Sequence, residues 1–152
     1  MPARVGVYLD TSVVSAYFDA REPWRQELTR QFWGRLPGFE PVISELVLSE
    51  LQATRDAARR EELLALVQAL RVLPARDDAA ALVKAYLAGG AFTPALRSDA
   101  EHVAIAVVSG TAILASWNFQ HLVNRTRRAR VNLVNLEQGY GQVEILAPPE
   151  IG

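Results

Sequence analysis

Residues 5–14 read VGVYLDTSVV. Val5 to Leu9 form a short, unbroken apolar run of β-branched and aromatic residues, the pattern of a strand buried on both faces. The run stops at a carboxylate and two hydroxyls, Asp10-Thr11-Ser12, and VVSAYF then starts a helix. A strand covered on both sides belongs to a parallel sheet. Ligands of such sheets bind outside the carboxyl ends of the strands. Asp10 therefore has two readings from the outset, a helix cap and a member of a site.

Outward from this strand the chain alternates. Residues 24–36 read as a helix with Pro23 in its first turn, ended by Pro37-Gly38. Residues 40–43 suit a second strand, and Ser44 suits the N-cap of ELVLSELQA. Asp56 suits the cap of a helix over 57–70, where Leu63, Val67 and Leu70 recur at helical spacing. That stripe would face either the chain's own core or a partner. Residues 71–73 suit a third strand, Asp77 or Asp78 the cap of the next helix, and Gly89-Gly90 its end. SDAE, residues 98–101, fits a capping box with Ser98 as N-cap and Glu101 three residues on. The helix that follows is apolar nearly all round and is expected to be central, ending at Gly110. TAILA (111–115) reads as a strand, 122–138 as a helix and VEIL (143–146) as the last strand. Strands alternating with helices predict an α/β fold, a parallel β-sheet sandwiched between helices on both faces. With 152 residues and no visible boundary, 1–152 is expected to form a single domain.

Composition narrows the function. The chain is half apolar and 22% charged, and it has no cysteine, which excludes thiolate metal sites and disulfides. No apolar run approaches the roughly 20 residues of a membrane span, and Met1 leads straight into the first strand without a signal peptide. Cytoplasmic residence is the expectation. A net charge of -1 gives no global field toward nucleic acid, but Lys84 is the sole lysine and Arg125, Arg127, Arg128 and Arg130 cluster tightly. These four are candidate phosphate contacts, since guanidinium groups match phosphate geometry. No G-x-G-x-x-G follows the first strand, which disfavours a dinucleotide site.

The carboxyl edge of the predicted sheet gathers Asp10, Asn118 just past the strand at 111–115, and Asp99 in the first turn of the central helix. Glu50 lies beside the apolar stripe of the 44–54 helix. Carboxylates that converge repel one another, and a bound cation relieves this. Oxygen ligands without cysteine suit Mg²⁺ or Mn²⁺. Thr11, Ser12 and Ser116 supply hydroxyls beside these positions, for a carboxylate, a bound water or plain turn chemistry. His121 would contact substrate or cap a turn. Trp117 would stack on a base or serve as a core aromatic. His102, on the face of Asp99, is expected to be a packed histidine.

Four segments together carry a resemblance: VYLDTSVV, VISELVLSEL, SDAEHVAIAVVSG and AILASWNFQHL, in this order along nearly the whole chain. The sequence resembles the PIN-domain family, which includes the VapC-like ribonuclease toxins. The resemblance implies a Rossmann-type α/β/α sandwich and a Mg²⁺- or Mn²⁺-dependent endoribonuclease. Asp10, Glu50 and Asp99 would be the metal ligands, and these with Asn118 the catalytic set. It further implies an RNA substrate, an antitoxin protein as partner, and a homodimer. Many members have Thr-x-Asp in the fourth segment where this chain has Ser116-Trp117-Asn118. A neutral amide there weakens a second cation most, so one well-held metal is expected. It also keeps open an alternative, a PIN-like module that binds nucleic acid or protein with weak or lost catalysis.

Overall fold

A computed structural model describes residues 3–152. Met1 and Pro2, and with them the expectation about the start of the chain, lie outside the described residues. Five strands form one parallel sheet: β1 (Gly6–Leu9), β2 (Glu40–Ser44), β3 (Arg71–Leu73), β4 (Ile113–Ala115) and β5 (Glu144–Leu146), in the order β3-β2-β1-β4-β5. Val7 pairs with Pro41 on one side and with Ile113 on the other, which makes β1 central. Val7, Tyr8 and Leu9 are fully buried, as the opening apolar run requires.

The helices are α1 (Thr11–Ala16), α2 (Pro23–Arg35), α3 (Glu45–Gln52), α4 (Ala57–Leu66), α5 (Asp77–Ala88), α6 (Arg97–Val108) and α7 (Arg125–Glu137). From β1 the chain steps to β2 and β3 in one direction, then returns to β4 on the far side of β1 and continues to β5. Right-handed crossovers put α1–α4 on one face and α5–α7 on the other. The packing agrees: α1 touches α2, α3 and α4, while α5 touches α6 and α7. The switch in direction falls between β1 and β4, which opens a crevice at their carboxyl ends. Among the described residues, no helix is long and apolar enough to cross a membrane.

Several local expectations hold. Ser44 caps α3 through Val47 N–H and Asp56 caps α4 through Arg59 N–H. Gly90 and Gly110 take the left-handed conformation just beyond α5 and α6, at φ of 74° and 76°. Leu63 and Val67 are buried in the chain's own core, which settles where the α4 stripe faces.

Three expectations are corrected. Pro94 starts a 3₁₀ turn over Pro94–Leu96 that runs directly into α6 at Arg97, so Ser98 is already helical and caps nothing. Arg76 stands at the N-cap of α5 without a side-chain cap, and it clamps the Asp78 carboxylate at 3.0 and 2.6 Å. The helix expected from 122 begins only at Arg125, because Asn118 winds residues 118–123 into a turn and Asn124 caps the helix through Arg127 N–H.

Candidate active site

Asp10 stands where β1 ends, at the crevice, and is 5% exposed. Its cap reading is realised. Its Oδ1 caps α1 by accepting Val13 N–H at 3.2 Å, and it accepts the Ser12 hydroxyl at 2.6 Å. Burial pushes its carboxyl above the ordinary 3.8, against the opposing charge of His102 and hydrogen bonds from Ser116 and Ser12. No basic side chain forms an ion pair with it among the described residues.

α6 runs antiparallel to the strands, so its N-terminus returns to their carboxyl edge and brings Asp99 there. Asp99 is half-buried, and burial raises its carboxyl. The charges of His121, His102 and Arg127 act in the opposite direction, and Glu50 adds to the rise. Glu50 comes from the second turn of α3 and behaves differently. Its Oε1 accepts the Thr11 hydroxyl at 2.7 Å and faces His102 Nε2 at 2.6 Å, with Ser98 Oγ at 3.5 Å from Oε2. Burial acts upward on this carboxyl too, but the His102 and Thr11 hydrogen bonds hold it below its usual range.

His102 is packed, as expected, but it is also wired. Its Nδ1 lies 2.7 Å from the Tyr8 hydroxyl, which lies 2.7 Å from Ser44 Oγ. Ser44 Oγ in turn accepts Val47 N–H. A buried chain of hydrogen bonds thus runs from the start of α3, through the central strand and α6, back to Glu50 on α3. Tyr8 and Ser44 went unnoticed in the sequence as parts of the site. The one available signal was a phenol inside a fully buried strand, since a buried hydroxyl needs a partner.

The fourth corner is a tight turn. Ser116 is fully buried and its Oγ accepts Asn118 N–H at 3.0 Å. Asn118 Oδ1 accepts His121 N–H at 2.9 Å. A backbone N–H only donates, so this contact identifies the amide oxygen. Ser12 Oγ accepts Trp117 N–H at 2.9 Å, which joins this turn to Asp10 through one hydroxyl. Trp117 itself is 4% exposed, and its Nε1–H donates to Thr29 Oγ1 at 2.9 Å. Its ring is a core aromatic, closed to a base.

The arginine cluster divides. Arg127 donates to the carbonyls of His121 and Ala91, and its guanidinium sits 4.5 Å from the Phe92 ring centroid. Arg128 donates to Ile145 O at 3.1 Å. Both are ties within the fold. Arg125 and Arg130 are exposed and stay available to phosphate.

A family model of the PIN domain matches residues 7–132. The chain belongs to the PIN-domain family. No curated protein matches it significantly. Solved structures share the PIN fold at low identity. The structure of Mycobacterium tuberculosis VapC20, a sarcin-ricin loop cleaving toxin, has a TM-score of 0.58 at 17% identity over 76% of this chain and 92% of its own. FitAB bound to an IR36 DNA fragment has a TM-score of 0.62 at 15% identity, over 96% of this chain and 97% of that one. FitAcB from Neisseria gonorrhoeae has a TM-score of 0.58 at 17% identity, over 93% and 97%.

The donor set of this PIN domain suits a hard, oxygen-preferring cation. Asp10 and Asp99 are carboxylates held at a cost, raised by burial and without ion pairs among the described residues. Among the described residues, no three acidic or histidine side chains converge tightly enough to enclose a cation by themselves. Mg²⁺ dehydrates reluctantly and is commonly held by one or two carboxylates with water completing its shell. Two carboxylates with an oriented third are compatible with that mode.

Proposed function

We propose that the protein is a divalent-metal-dependent endoribonuclease, the toxin of a toxin–antitoxin pair. The observation that carries this reading is the pair Asp10 and Asp99. Neither forms an ion pair among the described residues, burial raises both, and both lie at the carboxyl edge of a PIN-domain sheet. The likeness to a toxin described as cleaving the sarcin-ricin loop favours RNA as the substrate class.

In this reading Asp10 and Asp99 would hold Mg²⁺ or Mn²⁺. Bound there, the ion supplies an activated water and charge stabilisation at the phosphate. Glu50 would act through water, because its Oε1 already receives Thr11 and His102. The Thr11 hydroxyl and the His102 ring fix the Glu50 carboxylate in one orientation, so the lone pairs it presents to a water are set before substrate arrives. Ser12 holds Asp10 and the Ser116–Asn118 turn in register. Arg125 and Arg130 are free to meet the phosphate backbone. An antitoxin protein as partner and a homodimer complete the proposal. The exposed Leu133 and Leu136 on α7 favour a protein contact.

The test is cleavage of total RNA by wild type and Asp10→Asn, with Mg²⁺, Mn²⁺ or chelator. Cleavage by wild type only, and only with metal, is the expected result. Equal activity in both proteins would sink the assignment.

A further inference from the structure

Beside the acidic crevice lies an aromatic surface that the fold does not use. Trp24, in the first turn of α2, is 52% exposed, and Phe119, which follows Asn118, is 49% exposed. Both pack edge-on against the buried Trp117, at ring centroid distances of 5.7 and 6.1 Å. Trp117 is pinned through Thr29, and its backbone is one hydroxyl away from Asp10. Trp24 is steadied by its indole N–H on Glu22 at 3.1 Å. The two outer rings are therefore held on a rigid support tied to the site, while large parts of them meet water.

A cation lies within the same group. The Arg25 guanidinium stands 5.6 Å from the Trp24 ring centroid and 5.7 Å from that of Trp117. Arg25 forms no ion pair among the described residues, and the neighbouring acid, Asp19, is already clamped by Arg21 at 2.9 and 3.0 Å. A half-buried guanidinium without a carboxylate partner, beside the exposed Trp24 ring, matches the two parts of a nucleotide, a phosphate and a flat base.

We propose that Trp24 and Phe119 form a stacking shelf for unpaired RNA bases beside the acidic site, with Arg25 as its phosphate contact. The proposal deepens the nuclease reading and rests on it for the identity of the ligand. The shelf supplies affinity where the acids repel the substrate, and it reads single-stranded character without reading sequence. Stacking on each ring contributes about 1–3 kcal/mol per base, which is about fivefold to a hundredfold in affinity per ring.

The test is fluorescence anisotropy with a labelled uridine decamer and metal-free protein, in which cleavage is silent. Trp24→Ala/Phe119→Ala is expected to bind at least tenfold more weakly than wild type, Arg25→Gln severalfold more weakly, and Trp24→Phe close to wild type. Unchanged melting temperatures would show that the variants fold. With Mn²⁺ added, the double variant is expected to raise KM and keep kcat. If wild type and double variant bind the decamer equally, the shelf is wrong and the nuclease reading stands. If wild type binds no decamer, the shelf is also wrong, and the rings belong to a protein contact. If binding depends on the rings but no metal ion yields cleavage, the shelf stands and the nuclease reading falls.

Discussion

Tyr8→Phe removes one oxygen atom from the centre of the molecule. That oxygen lies 2.7 Å from Ser44 Oγ and 2.7 Å from His102 Nδ1, and all three residues are buried. Burial raises the phenol far above its ordinary range, so it keeps its proton and can donate. The substitution leaves one buried hydrogen-bonding atom on Ser44 and one on His102 without the phenol as partner. Each buried orphan costs about 1–3 kcal/mol, so a loss of about 2–6 kcal/mol is expected. For a chain of this size that lowers Tm by roughly 4–24 °C. Thermal melts followed by circular dichroism measure it. Two double-mutant cycles locate the effect. Ser44→Ala removes one of the orphans, so its combination with Tyr8→Phe should cost less than the sum. Glu50→Gln, joined to Tyr8 only through His102, should couple to Tyr8→Phe by about 0.5 kcal/mol or more. A Tm within 2 °C of wild type, or strict additivity in both cycles, would refute the continuous chain from Tyr8 to Glu50.

Asp10→Asn should separate stability from activity. Burial raises the Asp10 carboxyl above 3.8, so the folded chain binds that proton more tightly than the unfolded chain. Its contribution to stability therefore falls as pH rises through and above 3.8. Asn keeps the cap of α1, so the variant should gain Tm relative to wild type at pH 7 and gain less at pH 4; the same difference at both pH values would count against the buried charge. Arg127→Ala should cost about 2–3 kcal/mol in urea denaturation, since it strips charged hydrogen bonds from two carbonyls. Arg125→Ala, on the exposed face, should stay within about 0.5 kcal/mol, and equal losses in the two variants would contradict the division of the cluster. Asn118→Asp should tighten Mn²⁺ binding by about tenfold in calorimetry with little change in Tm, because a carboxylate oxygen still accepts His121 N–H. Unaltered affinity would place residue 118 outside the reach of the ion.

The sheet was legible because its strands are short and mainly apolar, and β1, β2 and β4 run into a polar stop, a pattern that survives without knowledge of the partners. Helix starts were less legible where two signals competed. SDAE has the residues of a capping box, yet Pro94 begins a turn earlier and carries the chain into α6 through a 3₁₀ segment. Ser98 thereby loses its cap role and turns toward Glu50. The same limit applies to Asp77 and Asp78, where the pair Arg76–Asp78 takes the carboxylate that would have capped. Local rules rank candidates for one role, but a side chain has one position, and tertiary neighbours decide which role it fills.

For the site, the acids could be named from sequence but not their inequality. Asp10, Glu50 and Asp99 are alike as residue types, and spacing says nothing of hydrogen bonds from Tyr8-linked His102 or from Thr11. Those bonds hold Glu50 ionised, whereas burial works against Asp10 and Asp99. A cation at the proposed site would therefore gain most from the last two. Asn118 fits the same logic. Its carbonyl oxygen is engaged by His121 N–H and so serves the turn that carries Ser116 and Trp117. An aspartate would serve that turn equally well, leaving its second oxygen as an added negative charge beside carboxylates already raised by burial. The amide keeps the turn and spares the pocket that charge, so an asparagine here is compatible with a working two-carboxylate site and need not mark a lost one.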